Sequence, residues 1–338
     1  MTCFLVRACQ IFTFFIATSI ICLVAHAQPS WKISEVEGKA EKRHEAAFIE
    51  VNGKFYALGG RKREKTSIYN PKTNSWTEGA APPFNIHHFQ PVVYKNRIYM
   101  LGAMTGKFPK EDPVANVIIY DPKKDVWIIG DEIPKNRRRG GAGVALYNDK
   151  IYLVAGIQVG HWSGNVNWLD EYNPKTGEWK TLADAPRVRD HFQAVVIDGK
   201  LFAAGGRKTS KSTGHVFDLV TPEVDVYDFK NNSWSTLSNT LNIPTARAGA
   251  SSVAYQNHLL VIGGESKQKI AHNTVEAYNI KNSQWKTLAP LARGRHGTGA
   301  FIFNKHLWTC CGSGNRGGRP ELNSIESVKL DKNYLQQN

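Results

Sequence analysis

The stretch Tyr69-Asn-Pro-Lys-Thr-Asn-Ser-Trp76 decides how this sequence is read, because close copies of it recur down the chain. The copies are Tyr120-Asp-Pro-Lys-Lys-Asp-Val-Trp127, Tyr172-Asn-Pro-Lys-Thr-Gly-Glu-Trp179, and the segments from Tyr227 to Trp234 and from Tyr278 to Trp285. The tryptophans step by 51, 52, 55 and 51 residues. A steady period of that size marks an array of similar supersecondary units, none of which can bury its apolar faces without neighbours. Upstream of each phrase an apolar run ends in two small residues: Gly59-Gly60, Gly102-Ala103, Ala155-Gly156, Gly205-Gly206 and Gly263-Gly264, with a degenerate sixth pair at Cys311-Gly312.

Each unit has a readable build. Phe55-Tyr-Ala-Leu58, Ile98-Tyr-Met-Leu101, Ile151-Tyr-Leu-Val154 and Leu259-Leu-Val-Ile262 are apolar on both faces, as fully buried strands are. The small pair that follows lets neighbouring backbones approach closely. Asn/Asp-Pro-Lys turns then join two more strands as a hairpin. In the sixth unit Val328 stands where the tyrosine belongs and Leu335 where the tryptophan belongs, while Trp31-Lys32-Ile33 is unclaimed upstream of the first unit. Trp31 is therefore expected to supply the outer strand of the last sheet and so close a ring of six.

A small-residue pair followed by a spaced Tyr and Trp, at this period, resembles the kelch repeat over essentially all of residues 28–338. The resemblance implies an all-β, six-bladed kelch β-propeller, one four-stranded blade per repeat, its last blade closed by an N-terminal strand.

The ends and the composition set the context. Among 338 residues, 43 Lys+Arg against 29 Asp+Glu give +14, and 41% of residues are hydrophobic, which excludes a disordered tail protein. Arg7, the apolar run Ile11–Val24 and Ala25-His26-Ala27 read as a signal peptide spanning 1–27, ahead of one propeller domain over 28–338. That predicts a secreted or periplasmic monomer with no membrane span after cleavage, carrying a charge of +13. Of the five cysteines only Cys310 and Cys311 lie beyond the signal segment, so there is no disulfide scaffold, and their redox state is open.

In a blade whose strands run a to d outward from the channel, the turn entering strand a and the b–c loop emerge on one face, where chemistry is expected. Aligning the units on their a–b turns puts Arg43, Ile86, Arg139, Arg189, Arg247 and Arg295 at one position, predicted to ring the channel mouth. The next two positions add His44-Glu45, His87-His88, Asp190-His191 and His296. His88-Phe89-Gln90 and His191-Phe192-Gln193 nearly repeat, so these two histidines are expected to face each other. The b–c loops add Arg61-Lys62-Arg63, Lys107, Lys110, Arg207-Lys208, Lys211, Lys267, Lys269, Arg316 and Arg319. Such a surface attracts anions, and guanidinium groups bind carboxylate, sulfate or phosphate at two points. Each strand-a arginine has a second possible role, hydrogen bonding to neighbouring backbone carbonyls. For the ring as a whole the reading is an acidic small molecule or glycan, bound by Arg43, His44, His88, Arg139, Arg189, His191, Arg247, Arg295 and His296, with Trp162 stacking on a sugar. In the kelch domains of intracellular adaptors, the resemblance implies, strand-a arginines contact acidic peptides, so a protein partner is an alternative.

Enzymatic readings compete with simple binding. Secreted copper-radical oxidases of the galactose oxidase-like fold resemble this architecture, but their Tyr–Cys cross-link has no counterpart beside the adjacent Cys310 and Cys311. The periplasmic six-bladed kelch mutarotase acting on sialic acid is a second comparison. It implies an arginine on the sugar acid with His88, His191 or Glu45 shuttling protons. A uronic-acid polysaccharide lyase with His191 as base is a third. No metal or other cofactor is expected, because the histidines are taken to be spread around the ring among arginines. Nucleic acid is not expected either, for the loops lack an aromatic stacking series.

Overall fold

A computed structural model describes residues 29–331 and 334–336; the proposed signal peptide, 1–27, lies outside these. The described residues form six four-stranded antiparallel blades. Blade I comprises strands a to d at Ala46–Val51, Lys54–Gly59, Ser67–Asn70 and Ser75–Glu78; blade II, Pro91–Tyr94, Arg97–Met100, Asn116–Asp121 and Val126–Glu132. Blade III comprises Gly143–Tyr147, Lys150–Val159, Ser163–Tyr172 and Trp179–Thr181; blade IV, Gln193–Ile197, Lys200–Ala204, Val224–Asp228 and Ser233–Thr236. Blade V is Ser251–Tyr255, His258–Ile262, Val275–Asn279 and Gln284–Leu288. Blade VI takes Ala300–Phe303, His306–Cys310 and Ile325–Lys329 from the C-terminal end and its outer strand, Lys32–Ile33, from the N-terminal end. Strand a of every blade touches strand a of both neighbours, blade VI meeting blade I, so the ring is closed.

The recurring phrase is the c–d hairpin. Its Tyr and Trp are cross-strand partners, as in Tyr69–Trp76 and Tyr278–Trp285, with ring centroids 5.2 and 5.3 Å apart. Cross-strand aromatic pairs of this kind add on the order of 0.5 kcal/mol to a sheet. The indole N–H then reaches the preceding blade: Trp127 donates to the Ala80 carbonyl, Trp234 to Ala183 and Trp285 to Leu241. Trp31 donates to the Ala289 carbonyl at 3.1 Å and is buried among Leu260, Leu307 and Val328, so it holds the tryptophan position that blade VI lacks. Lys32 and Ile33 pair with Ser327 and Glu326 beside it.

The five strand-a arginines do not point into the mouth. Each is at most 2% exposed and lies inside its own blade. Each donates to the carbonyl sixteen residues on, the first member of the small pair: Gly59, Ala155, Gly205, Gly263 and Cys311 for Arg43, Arg139, Arg189, Arg247 and Arg295. The second contact is a strand-c side chain two residues before the repeat tyrosine position. Arg139 meets Asp170 at 2.7 Å, Arg189 meets Asp225 and Arg247 meets Glu276 at 2.5 Å each, and Arg295 meets Glu326. Arg43 meets the Ser67 hydroxyl at 3.1 Å. In blade II both partners change together, to Ile86 and Ile118, each buried in the core between blades I and II. The predicted anion ring is therefore corrected to a set of internal staples, because the guanidinium groups are desolvated and already matched by carbonyls and carboxylates.

Two predictions follow from this packing. Trp31→Ala lowers stability by about 3–5 kcal/mol, the usual cost of emptying a large aromatic site, read as a drop in the urea midpoint. Arg247→Met leaves the Glu276 carboxylate buried without its cation, held only by the Thr245 hydroxyl, and costs about 3–5 kcal/mol, whereas Arg247→Ile with Glu276→Ile, copying blade II, recovers much of the loss. A double variant no more stable than Arg247→Met would show that the staple acts through its backbone contacts alone.

Candidate functional site

Two residues beyond the staple position, one residue from each blade enters the channel: Glu45, His88, Gly141, His191, Gly249 and Gly297. All six have left-handed backbone, with φ between 53° and 63°. Their peptide groups are chained around the axis. The amide of His88 donates to the Glu45 carbonyl, Gly141 to His88, His191 to Gly141, Gly249 to His191 and Gly297 to Gly249, at 2.6–3.1 Å, and the Ala46 amide closes the circle on Gly297. At position 297 a Cβ would lie 2.9 Å from the Glu45 nitrogen, so glycine is required there. Only Glu45, His88 and His191 thus project side chains from this ring, and left-handed backbone costs a non-glycine residue roughly 1–2 kcal/mol. Below them Gln90 bridges Val144 and Ala194, and Gln193 bridges Ser252 and Thr298, so the HFQ repeat ends in amides that tie inner strands of different blades across the channel.

His88 and His191 do face each other, with ring centroids 4.8 Å apart, and a third imidazole joins them. The b–c hairpin of blade III is extended, ten residues in each strand, and its tip folds His161 over the channel to within 4.7 Å of the His191 ring and 5.0 Å of the His88 ring. His161 Nδ1 is 2.9 Å from Glu111, whose carboxylate also accepts from Arg61 at 2.8 Å. His191 Nδ1 bonds Asp190, which is fixed in turn by the Thr209 amide and hydroxyl. Burial pushes His161 down to about 4, against the pull of Glu111. Burial, with Arg61 next to it, drives His88 well below the ordinary histidine value. Burial acts the other way on Glu111, yet His161 and Arg61 hold it below the usual carboxylate range. The Arg61 guanidinium 3.3 Å from His88 Nε2 requires that nitrogen to accept, so His88 Nδ1–H donates to His87 Nδ1 and His87 Nε2–H to the Gly106 carbonyl.

Above this cluster lies an open mouth of about 520 Å³. Its inner wall is Glu45, His161, Arg207 and Glu265; its outer wall is Arg61, Arg316, Arg319, Phe108 and Phe217. Arg207 is buried, bonded to Glu265 at 2.5 Å and to Thr209 at 2.8 Å, and its guanidinium covers the Phe217 ring. Burial alone would raise Glu265, but His296 and Arg207 bring it down to about 2. Arg316 and Arg319 are exposed, and among the described residues Arg319 has no ion-pair partner. Phe108 is 48% exposed, with the Lys211 ammonium 5.4 Å from its ring centre.

The remaining expected site residues divide between mouth and floor. His44 lines the mouth and bonds Glu321 at 2.8 Å. His296 is buried at the floor, its Nε2 on the Asn315 and Gly317 carbonyls, its Nδ1 3.7 Å from Glu45 and otherwise unpartnered. Glu45 lies between His296 and His88, 3.6 Å from the latter. Trp162 is half-buried under Lys110 and is not part of the mouth wall. Cys310 and Cys311 are buried free thiols with sulfurs 3.3 Å apart and do not line this cavity. The expected dispersal of histidines around the ring is also corrected, since the blade III hairpin brings His161 onto His88 and His191. Sequence reasoning passed over His161, Glu111 and Glu265, and counted Arg207 only among the basic residues of the b–c loops. The residue after each small pair was the signal: Arg207 and Glu265 bridge to Asp190 and Ala248 in the turns entering strand a of their blades, and Arg61 holds the equivalent position.

Comparison with known proteins agrees with this architecture. Kelch-like protein terF of Aspergillus terreus is 26% identical over 80% of this chain and 61% of its own length. Kelch-like protein 40 of Xenopus laevis is 27% identical over 53% of this chain and 28% of its length, and Kelch-like protein 23 of Homo sapiens 23% identical over 82% and 47%. The chain thus spans less than two thirds of each of these relatives. Among solved structures, that titled "Structure of YjhT" superposes with a TM-score of 0.72 over 88% of this chain and 98% of that one, at 16% identity, a likeness of fold. A family described as Attractin/LZTR1 β-propeller matches residues 18–270, three quarters of the sequence. With the repeat, the blades and this match in agreement, the chain belongs to the kelch-repeat β-propellers of the Attractin/LZTR1 β-propeller family.

Proposed function

We propose that this propeller is an exported binding module whose mouth captures a small acidic ligand, an acidic sugar in particular. The observation that carries the reading is the wall of Arg61, Arg316 and Arg319 beside Phe108 and Phe217 around an open cavity of about 520 Å³. Guanidinium groups supply planar two-point contacts to a carboxylate or sulfate, and an aromatic face suits the apolar side of a sugar ring. Glu45, Glu265 and Glu321 lie on the same cavity or its rim and would accept hydroxyl hydrogens, which favours a sugar acid over a bare polyanion. Export rests on the N-terminal apolar run; among the described residues no helix is long and apolar enough to cross a membrane. The strand-a arginines have no part in this version of the reading, because their guanidinium groups are buried inside the blades.

A second reading, a sugar mutarotase or epimerase, is favoured by one feature. Glu45 sits at the floor between His88 and His296, whose Nδ1 is unpartnered, as an acid/base pair would require. The lyase variant has less support, since His191 is buried, with Nδ1 on Asp190 and Nε2 turned to His161 and away from the open mouth.

The test is calorimetric titration of sialic acid, uronic acids, sulfated sugars and neutral sugars at two salt concentrations, with NMR on the sugar. Selective, salt-weakened binding of one acid is expected. Arg61→Ala or Arg319→Ala should each weaken it by about 10–100-fold, the worth of one charged hydrogen-bonded contact. Binding unchanged in both variants would remove the mouth from the function. Anomeric exchange that Glu45→Gln abolishes while binding survives would establish the enzyme instead.

A further inference from the structure

The three imidazoles beneath the mouth pose a separate problem. His161 and His191 each turn Nδ1 toward a carboxylate, Glu111 and Asp190, so in the neutral rings both Nε2 atoms carry lone pairs. These two atoms are 3.1 Å apart in a buried site. Lone pairs facing at that distance repel unless something positive lies between them. One nitrogen from His88 joins them in a group whose ligand atoms all lie within 4.8 Å of one another. Ligands on a tetrahedral ion with bonds of about 2.0–2.1 Å sit about 3.3 Å apart, close to the His161–His191 spacing. The carboxylates on the far ring nitrogens are the outer partners that orient metal-binding histidines and raise their basicity. Each is itself held, Glu111 by Arg61 and the His161 amide, Asp190 by Thr209.

We propose that His161, His191 and His88 bind one divalent transition-metal ion of the imidazole-preferring kind, Zn²⁺ being the type. His161 and His191 already stand at ligand spacing; His88 completes the set by exchanging its contact with Arg61, 3.3 Å away, for the ion. The Arg61 side chain, 21% exposed at the cavity wall, has the mouth to move into. Arg61 is thus a competitor for the site, and its charge is the main force opposed to loading. Binding of the ion does not depend on what the mouth holds above it.

The experiment is titration of the chelator-stripped full chain with Zn²⁺ against a chromophoric competitor, and with Co²⁺ followed by visible absorption. One equivalent of submicromolar Zn²⁺ and the absorption bands of tetrahedral, nitrogen-ligated Co²⁺ are expected. His161→Ala and His191→Ala should each weaken Zn²⁺ by about 100-fold or more, Glu111→Gln by about 10–100-fold, and Arg61→Gln should tighten it. Failure of the folded wild-type chain to hold Zn²⁺ against the competitor would overturn the site, leaving a proton shared between His161 and His191 as its explanation. Binding undiminished in both histidine variants would overturn it equally. Should those variants not fold, the wild-type Co²⁺ spectrum decides, and octahedral or absent bands would reject the assignment.

Discussion

The buried guanidinium staple is the contact from which the working end of this propeller is built. In five blades an arginine at the entry to strand a donates to the end of strand b and to a strand-c side chain, so three strands are fastened at one point. The backbone leaves that point in a left-handed step, which delivers the second residue beyond it into the channel. Buried ion pairs are weak contributors when both partners could be apolar, as Ile86 and Ile118 in blade II illustrate. Their use in four blades, with serine on the arginine of a fifth, serves geometry, because a fork of donors fixes directions that a hydrocarbon contact cannot.

Charge in this molecule is accordingly divided into two populations. Four of the five arginines inside the blades are neutralised by a carboxylate, and Arg43 is buried on carbonyls and the Ser67 hydroxyl. The cations free to act on a ligand belong to the b–c loops, and those loops converge on one face because the topology repeats. Beneath them the polar groups are arranged as short, fully connected strings, Arg61 to Glu111 to His161 and Arg207 to Glu265 to His296. Such strings tolerate burial because nearly every polar atom meets a partner, and His296 Nδ1 is the notable exception.

The chain closes its ring with Trp31 acting in place of a missing blade VI tryptophan, so folding cannot finish until both ends of the sequence meet. The six a-strands, each touching both neighbours, form one continuous wall around the channel, and Asp190 and Glu111 fix the orientation of two of the histidines held there. Groups already in place, as His161 and His191 are, need little reorganisation when a partner arrives, whereas Arg61 must move to free His88.

The repeat phrase, the small pairs and the stray Trp31 were enough to read the blade count, the c–d hairpins and the mode of closure, because these are local patterns with a fixed period. The arginine position was equally visible, but its direction was not. Whether a side chain at the start of strand a turns into the blade or into the channel depends on what strand c offers two residues before the tyrosine, and only the folded sheet brings that partner across. The carboxylates at 170, 225, 276 and 326, with Ile118 opposite Ile86, carried the signal in retrospect. His161 was beyond local reading altogether. It lies in the blade III hairpin, whose b and c strands both run ten residues, and its place above His88 and His191 is set by how far that hairpin extends over the channel. A sequence period determines which elements exist and in what order; the convergence of six loops at one axis is a property of the closed ring, and the site is made there.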